Sequence, residues 1–581
     1  MTLPHGGKGL KNVIILGAGK IGRGFAAEVF KEAGYRLIFI DNNPDLVNAL
    51  NKINTYAIYK IPSADRQKQI MINDYQAFSD KDTESLTGIF PEIDLIVVCV
   101  FSNAYTVAGE FIARCIKNRA EQHPQGTLDI IVMANTLHAG KLLQKEIQKE
   151  LPEKYRRYFD TNVGIPESIV LRMALDPSAD LIEKDPLAIV TNGYDKLIVD
   201  GTVFKGEKPL CSLLEYTDRF ESCEKRKLYT YNMVHALFAY AGVHKGLKFV
   251  YECIEDRDIM DFASGALDEV SRALQAEFGF SKAEMAEWIS QCIQNMTNPI
   301  LRDHLQRVGA DPVRKLKFGD RLAGPAILCK KNGIMPYWIT KAIAYAFLYK
   351  NEDDNSSMLL QEQLKKKGIS KVAEEYCGFE GEPELVYLIA DRYNDVREDP
   401  KAGLREDQNR IKLLKNAWES GFYFEKTYKG CAQCLLLGSK KALGIFDEKV
   451  FESATSFSGG MGLCIDGSCG AYTGGQMTIG LLTSRNEEDL KTKNKVGQFK
   501  AYELAQLLHD RFCECYGSIT CKDIHNRIFG RPFLIRENKI KEDFEEAGAH
   551  LDKCTTVIGM GMYLLTDLLI KEALISPKDL L

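Results

Sequence analysis

No stretch of the 581 residues is densely basic and none forms an acidic tail, since 75 Lys plus Arg stand against 80 Asp plus Glu for a formal net charge of -5. Nucleic acid is therefore not an expected partner, because phosphate binding needs clustered positive charge. Uninterrupted apolar runs approaching the roughly 18 residues of a membrane helix are missing, and Met1 to Lys11 holds no apolar core of signal-peptide length. These absences predict a cytoplasmic chain with no membrane partner. Internal repeats and low-complexity tracts are absent as well, which leaves ordinary globular domains.

What is present fits that class. Hydrophobic residues make up 45% and charged residues 27%, the balance of a chain that buries cores. At this length one core is too few, and roughly two to four domains are expected. Sixteen cysteines are odd as a disulfide framework in a reducing compartment, so their distribution matters more than their number. Eight of them, Cys431, Cys434, Cys464, Cys469, Cys513, Cys515, Cys521 and Cys554, fall after residue 430, while the others are scattered singly over the first 377 residues.

The apolar run Val13 to Leu16 leads into glycines, and a second run, Leu37 to Ile40, ends on Asp41, with a helix-like stretch between them. That is a β-α-β unit. Further strands are expected at Asp94 to Val100 and Asp129 to Met133, alternating with helices as a parallel sheet requires. Beyond about residue 210 long helical patterns take over, near Arg226 to Tyr240, Ala266 to Phe278, Lys282 to Cys292 and Trp338 to Tyr349. The polar run from Asp395 to Asp407 reads as an exposed linker. The expected architecture is an α/β Rossmann domain over residues 1–195, a mostly α-helical substrate domain over 196–395, and an α-helical cysteine-rich domain over 396–581.

Gly17-Ala-Gly-Lys-Ile-Gly22 follows a strand and opens a helix, and Asp41 closes the next strand. In that context Gly17 permits the tight turn, Gly19 admits a pyrophosphate close to the backbone, and Gly22 lets helix and strand approach, while helix N-terminal amides face the phosphates. Asp41 suits a ribose diol and repels the extra phosphate of NADP, so NAD is the expected cofactor, with Arg23 keeping NADP open. Gly17, Gly19, Ile21, Gly22 and Asp41 are the candidate cofactor residues.

Leu228 to Val243 contains no charged residue and reads as a buried helix interrupted by Asn232 and His235, with Lys227 at its entrance. Buried amides and imidazoles need partners. At about 100° per residue the three fall on one side of a straight helix and can converge on one ligand. A lysine against an apolar surface has its ammonium form disfavoured and can serve as a general base without a metal.

The fingerprint Gly17 to Phe25, the pattern Lys227-x4-Asn232-x2-His235, and the later Asn298-Pro299, Arg307-Val-Gly309 and Arg314 to Pro325 together resemble the long-chain polyol dehydrogenases, over roughly residues 10 to 390. The resemblance implies that Lys227 is the base, that Asn232 and Asn135 stabilise the developing alkoxide, and that His235 orients the substrate. It also implies a polyol, a polyol phosphate or a sugar acid as substrate. Arg314, Lys315 and Arg321 are then candidates for holding its anion, since cations of this kind bind phosphate or carboxylate. The family normally stops near the linker, so the tail is extra.

In that tail Gly430-Cys-Ala-Gln433, Ser458 to Gly462, Cys469 to Gly474, Tyr516 to Cys521 and Cys554 resemble the C_GCAxxG_C_C family of proposed redox-active proteins. Cys431, Cys469, Cys521 and Cys554 are the cysteines that match. Four thiolates can hold an iron-sulfur cluster or another soft metal, pairs can form a reversible disulfide, and a redox partner would then meet this module. The rival to the enzyme is a redox sensor or electron-transfer protein that binds NAD(H) without turning over a polyol.

Overall fold

The computed structural model describes residues 11–63, 66–175 and 177–581; the first ten residues, expected to lack a signal core, lie outside them. The chain folds into two compact units. One holds the residues up to Lys227 together with Gln294–Arg302, and the other holds Leu228–Ile293 and Asp303–Leu581.

The first unit is built on a six-stranded parallel sheet, whose spatial order is Tyr75–Ser79, Arg36–Asp41, Asn12–Leu16, Ile93–Val98, Leu128–Val132 and Val163–Gly164. The strand order reverses direction next to Asn12–Leu16, the switch point where doubly wound sheets place ligands. All five residues of that strand are buried, because helices cover both faces. Val13 and Ile15 pack into one apolar layer, and Ile14 and Leu16 into the other. Each such side chain contributes about 1.5–3 kcal/mol of burial, which fixes the strand and the glycine turn that follows it.

Several strands escaped the sequence reading, among them short ones at Ile189–Thr191, Leu197–Asp200 and Leu214–Thr217. Tyr75–Ser79 forms the sheet edge beside Arg36–Asp41, and Thr55–Ser63 with Arg66–Asn73 makes an antiparallel hairpin in a second sheet. Tyr75–Ser79 alternates buried and exposed positions and Arg66–Asn73 mostly faces solvent, while Thr55–Ser63 holds the short buried run Tyr56 to Ile58, which the reading passed over.

The second unit is helical. The expected segments appear as Met233–Lys245, Arg257–Phe278, Lys282–Gln294 and Tyr337–Leu348, followed by Pro383–Val396, Gln408–Tyr428 and the cysteine-bearing helices. Gln408–Tyr428 and Cys554–Lys571 cross closely, since a Cβ on Gly421 would stand 2.9 Å from Ile558 O. The helix Ala549–Lys571 is long and apolar enough to cross a membrane by length and composition, and 83% of its apolar window is buried inside this unit.

The polar run 395–407 is exposed at Asp395, Arg397, Glu398, Asp399, Lys401, Arg405 and Asp407, as expected of a linker, but it is anchored at a few points. Leu404 is buried, and Glu406 pairs with Lys341 and with the Tyr337 hydroxyl. Arg392, 1% exposed, donates to the Tyr563 hydroxyl at 2.9 Å; Arg272 meets Glu419 at 2.6 Å, and Lys415 meets Glu269 at 2.9 Å. Charges on the two sides of this segment pair across it, so it is a partly exposed but packed connector. Polar composition alone did not reveal those partners.

Candidate active site

The glycine turn has the geometry of a pyrophosphate cradle. Gly17 has φ +98°, and a Cβ there would press on Val100 and Cys99 O. Nothing stands within 4 Å of the place a Cβ would take on Gly19, so that backbone faces open space. At Gly22 a Cβ would lie 2.0 Å from Gly17 O, which makes the helix–strand approach depend on its absence. Ile21 is half-buried at the helix start, and a five-residue π turn, Gly22–Ala26, follows.

Asp41 Oδ2 accepts the Ala18 N–H at 2.8 Å and Oδ1 accepts the Asn43 N–H at 2.9 Å. The carboxylate therefore ties the glycine turn to the end of the second strand and keeps further lone pairs for hydroxyl donors. Arg23 points inward instead, donating to Ala18 O at 2.8 Å and Leu187 O at 2.7 Å. Its guanidinium is committed to backbone carbonyls, which favours NAD over NADP at this turn.

Lys227 ends the helix Phe220–Lys227 and is buried. Its Nζ donates to Asn135 Oδ1 at 2.5 Å, and Asn135 lies just past the strand Leu128–Val132. With the amide oxygen occupied by Lys227, the Asn135 NH2 group is the face left to donate to a substrate oxygen.

Glu224, one turn before Lys227, went unremarked in the sequence although its i−3 spacing put it on the same helix face. Burial, followed by the nearby Glu167 carboxylate, pushes its acid up to about 7, with Lys225, the His138 N–H and Lys227 acting the other way. A carboxyl that titrates near neutrality next to a buried lysine is a functional-site signature.

In the second unit Asn232 is buried and closes another π turn, Leu228–Asn232. A helical wheel drawn at 100° per residue fails across those five residues, because a π turn closes i→i+5 and shifts the phase. The expected convergence was drawn on a straight α-helix. His235 Nε2 lies 3.0 Å from Asp303 Oδ2, and Arg307 Nε donates to Asp303 Oδ1 at 3.0 Å. Burial pushes the Asp303 acid up, but His235 and Arg307 outweigh it and hold the group below its usual value. The ring is thereby held by an ionised carboxylate, a further residue the sequence reading missed.

Of the three anion candidates, Arg314 is a surface cation paired to Asp311 at 3.0 Å, and Arg321 is half-buried and paired to Asp320 at 2.8 Å. Lys315 is different. It is 3% exposed, its Nζ reaches Ala310 O, and burial, then the charges of Arg321 and Arg314, bring its pKa down to about 7.

All sixteen cysteines are free thiols. Cys431, Cys469, Cys521 and Cys554 line one cavity of about 200 Å³.

Fold and residues define a dehydrogenase of the polyol class. Residues 11–212 match the mannitol dehydrogenase Rossmann domain and residues 219–400 the mannitol dehydrogenase C-terminal domain, so the chain belongs to the mannitol dehydrogenase family. Residues 430–568 match the C_GCAxxG_C_C model of proposed redox-active proteins. Mannitol-1-phosphate 5-dehydrogenase of Caldanaerobacter subterraneus subsp. tengcongensis is 28% identical over 66% of this chain and 97% of its own length. The Streptococcus mutans protein of the same name is 28% identical over 64% of this chain and 95% of its own length. Among solved structures, Pseudomonas fluorescens mannitol 2-dehydrogenase, a ternary complex with NAD and D-mannitol, shares the fold at TM-score 0.56 and 16% identity, over 68% of this chain and 94% of its own. A D-sorbitol dehydrogenase does so at TM-score 0.59 and 14% identity, over 68% of this chain and 94% of its own.

Proposed function

We propose that the chain interconverts a secondary alcohol of a polyol phosphate with its ketone, using NAD, in the manner of mannitol-1-phosphate 5-dehydrogenase. The observation that carries the reading is the buried Lys227 amine donating to Asn135. Gly17, Gly19 and Gly22 suit a pyrophosphate, and Asp41 suits the ribose diol. Bound NAD supplies the hydride acceptor.

Lys227 acts as general base and takes the hydroxyl proton. The Asn135 amide, its oxygen already engaged, turns N–H toward the oxygen that gains negative charge, and Asn232 supplies a second amide donor; one such donor is worth about 10²–10³ in rate. His235, held by Asp303, orients the hydroxyl. Glu224 sits where it can take the proton onward from Lys227 toward solvent. Lys315, with Arg314 and Arg321, favours an anionic substrate, because a buried, partly neutral ammonium beside two guanidinium groups gains most from a phosphate. Residues 430–568 add a redox or metal-binding module, with any redox partner meeting it there, and a cytoplasmic setting suits free thiols.

A panel of polyol phosphates, free polyols and aldonates, read by NADH absorbance, tests the assignment. Polyol-phosphate turnover that Lys227→Ala abolishes while NADH affinity survives supports it. Absence of turnover, with NAD(H) instead altering thiol state or a visible spectrum, favours the sensor reading.

A further inference from the structure

The cavity bounded by Cys431, Cys469, Cys521 and Cys554 has a volume of about 200 Å³, and Ile535, Phe544, Val557 and Ile558 give it further apolar wall. Its sulfurs add no charge. Burial pushes all four thiols up, that of Cys431 to about 12 and that of Cys469 to about 11. Protonated thiols behave as small hydrophobic groups, so carbon and neutral sulfur form an apolar chamber. An apolar cavity of about 150 Å³ takes a benzene-sized guest, and this one has room for a ring with a short arm.

One carboxylate interrupts that wall. Glu425, on the helix Gln408–Tyr428, lines the cavity and is 2% exposed, and its Oε2 has no hydrogen-bond partner among the described residues. The cations nearby are committed elsewhere. His550, in the π turn Ala549–Lys553, sets Nδ1 2.8 Å from Glu545 Oε2, while its Nε2 stays 3.6 Å from Glu425 Oε1. Lys429 and Lys541 also line the cavity but are exposed residues, and Lys429 pairs with Glu545 at 2.6 Å. The Cys434 thiol, beside Glu425, donates to Lys429 O at 3.3 Å. Burial brings the His525 pKa down to about 4, so that imidazole contributes no positive charge near neutral pH.

The field of Glu425 reaches across the chamber. After burial it is the next cause raising the Cys431 thiol, and it acts in the same direction on Cys469 and Cys554. A potential that opposes negative charge on those sulfurs attracts a positive charge placed among them. A buried carboxylate oxygen with no donor is unfavourable, and a cationic N–H supplies a strong, charge-assisted bond to it. Phe544 suits the same guest, because aromatic rings attract cations.

We infer that this cavity binds a small organic ammonium ion, whose apolar body fills the chamber and whose N–H donates to Glu425 Oε2. The inference lies beyond the dehydrogenase reading and does not draw on it. An anion of the same shape would meet Glu425 with no donor to offer. A neutral hydrocarbon would fill the space and leave the carboxylate oxygen unsatisfied. Binding is non-covalent, and the thiols keep their protons.

The experiment uses the full chain, kept reduced near neutral pH, and three probes of similar shape: benzylammonium, toluene and benzoate, each titrated calorimetrically. Benzylammonium is expected to bind saturably and roughly 10–100-fold more tightly than toluene, the worth of one hydrogen bond to a charged group, while benzoate does not bind. Glu425→Gln, which keeps the side-chain shape, should bring benzylammonium down to the toluene level and leave toluene affinity as it was, which also shows that the cavity is intact. A second readout needs no variant. Benzylammonium should slow iodoacetamide labelling of Cys431, Cys469, Cys521 and Cys554, followed by peptide mass, and leave the exposed Cys464 unaffected. Equal affinity for benzylammonium and toluene, tighter binding of benzoate, unchanged benzylammonium affinity in Glu425→Gln, no protection of the four cavity cysteines, or no saturable binding of any probe overturns the inference. Polyol turnover is scored separately by NADH absorbance, so its failure is distinguishable.

Discussion

Lys227 Nζ and Asn135 Oδ1 lie 2.5 Å apart, the amine at a helix end and the amide just past a strand of the parallel sheet. The contact fixes which face of the Asn135 amide can donate, and it gives the buried amine one defined acceptor. Replacing Asn135 with Ala removes both effects. Turnover is expected to fall about 10²–10³-fold with NADH affinity unchanged, measured by steady-state kinetics and fluorescence titration. A proportionate loss of NADH affinity would show instead that Asn135 shapes the cofactor pocket.

Glu224 carries the clearest pH signature. With its acid at about 7 against an unfolded value near 4.3, the folded chain binds the extra proton. Its contribution to stability is full below the unfolded value and is lost as pH rises through 7. Glu224→Gln should flatten the stability loss between pH 4.5 and 7 in urea titrations, and should remove one ionisation near 7 from the pH profile of kcat/KM. An unchanged profile would restrict Glu224 to a structural role.

Much of the first site was legible because its signal is local. Gly17, Gly19, Gly22 and Asp41 lie within one β-α-β unit, and the fixed spacing of that motif states its own geometry. The positions that escaped are of two kinds. Asp303 reaches His235, and Tyr563 reaches Arg392, across long stretches of chain, which no periodicity encodes. The π turns Gly22–Ala26, Leu228–Asn232 and Ala549–Lys553 each abut a candidate site, and a reading at 3.6 residues per turn passes over them. The cysteine motif singles out Cys431, Cys469, Cys521 and Cys554, but only the folded helices show three of them at N-termini around a common cavity.

Lys315 makes phosphate recognition testable by proton counting. Its folded pKa of about 7 lies below the ordinary lysine value, so its stability contribution is present at high pH and is lost as pH falls through 7. A bound phosphate restores the ammonium form, so binding above pH 7 should take up a proton. Calorimetric titration of a polyol phosphate at pH 8, in buffers of different ionisation enthalpy, should show that uptake in wild-type protein and its loss in Lys315→Met. A buffer-independent enthalpy would place the anion elsewhere.

The packed connector predicts that the cysteine module cannot be removed without cost to the helices before it. Glu269 is fully buried, accepts the Trp338 N–H at 3.0 Å, and has its counterion in Lys415, which lies beyond the connector. Breaking a buried pair from one side leaves an uncompensated charge and costs about 3–5 kcal/mol. Lys415→Met should therefore lower stability by that amount in urea unfolding, and a chain ending near residue 400 should lose this pair together with Arg272–Glu419 and the Arg392–Tyr563 contact. The double variant Glu269→Gln with Lys415→Met should recover most of the loss, because the orphaned carboxylate goes with its partner. A truncated chain that melts and turns over like the whole one would mean that these ion pairs contribute nothing, and the residues after 400 would then be a separate module tethered to a complete enzyme.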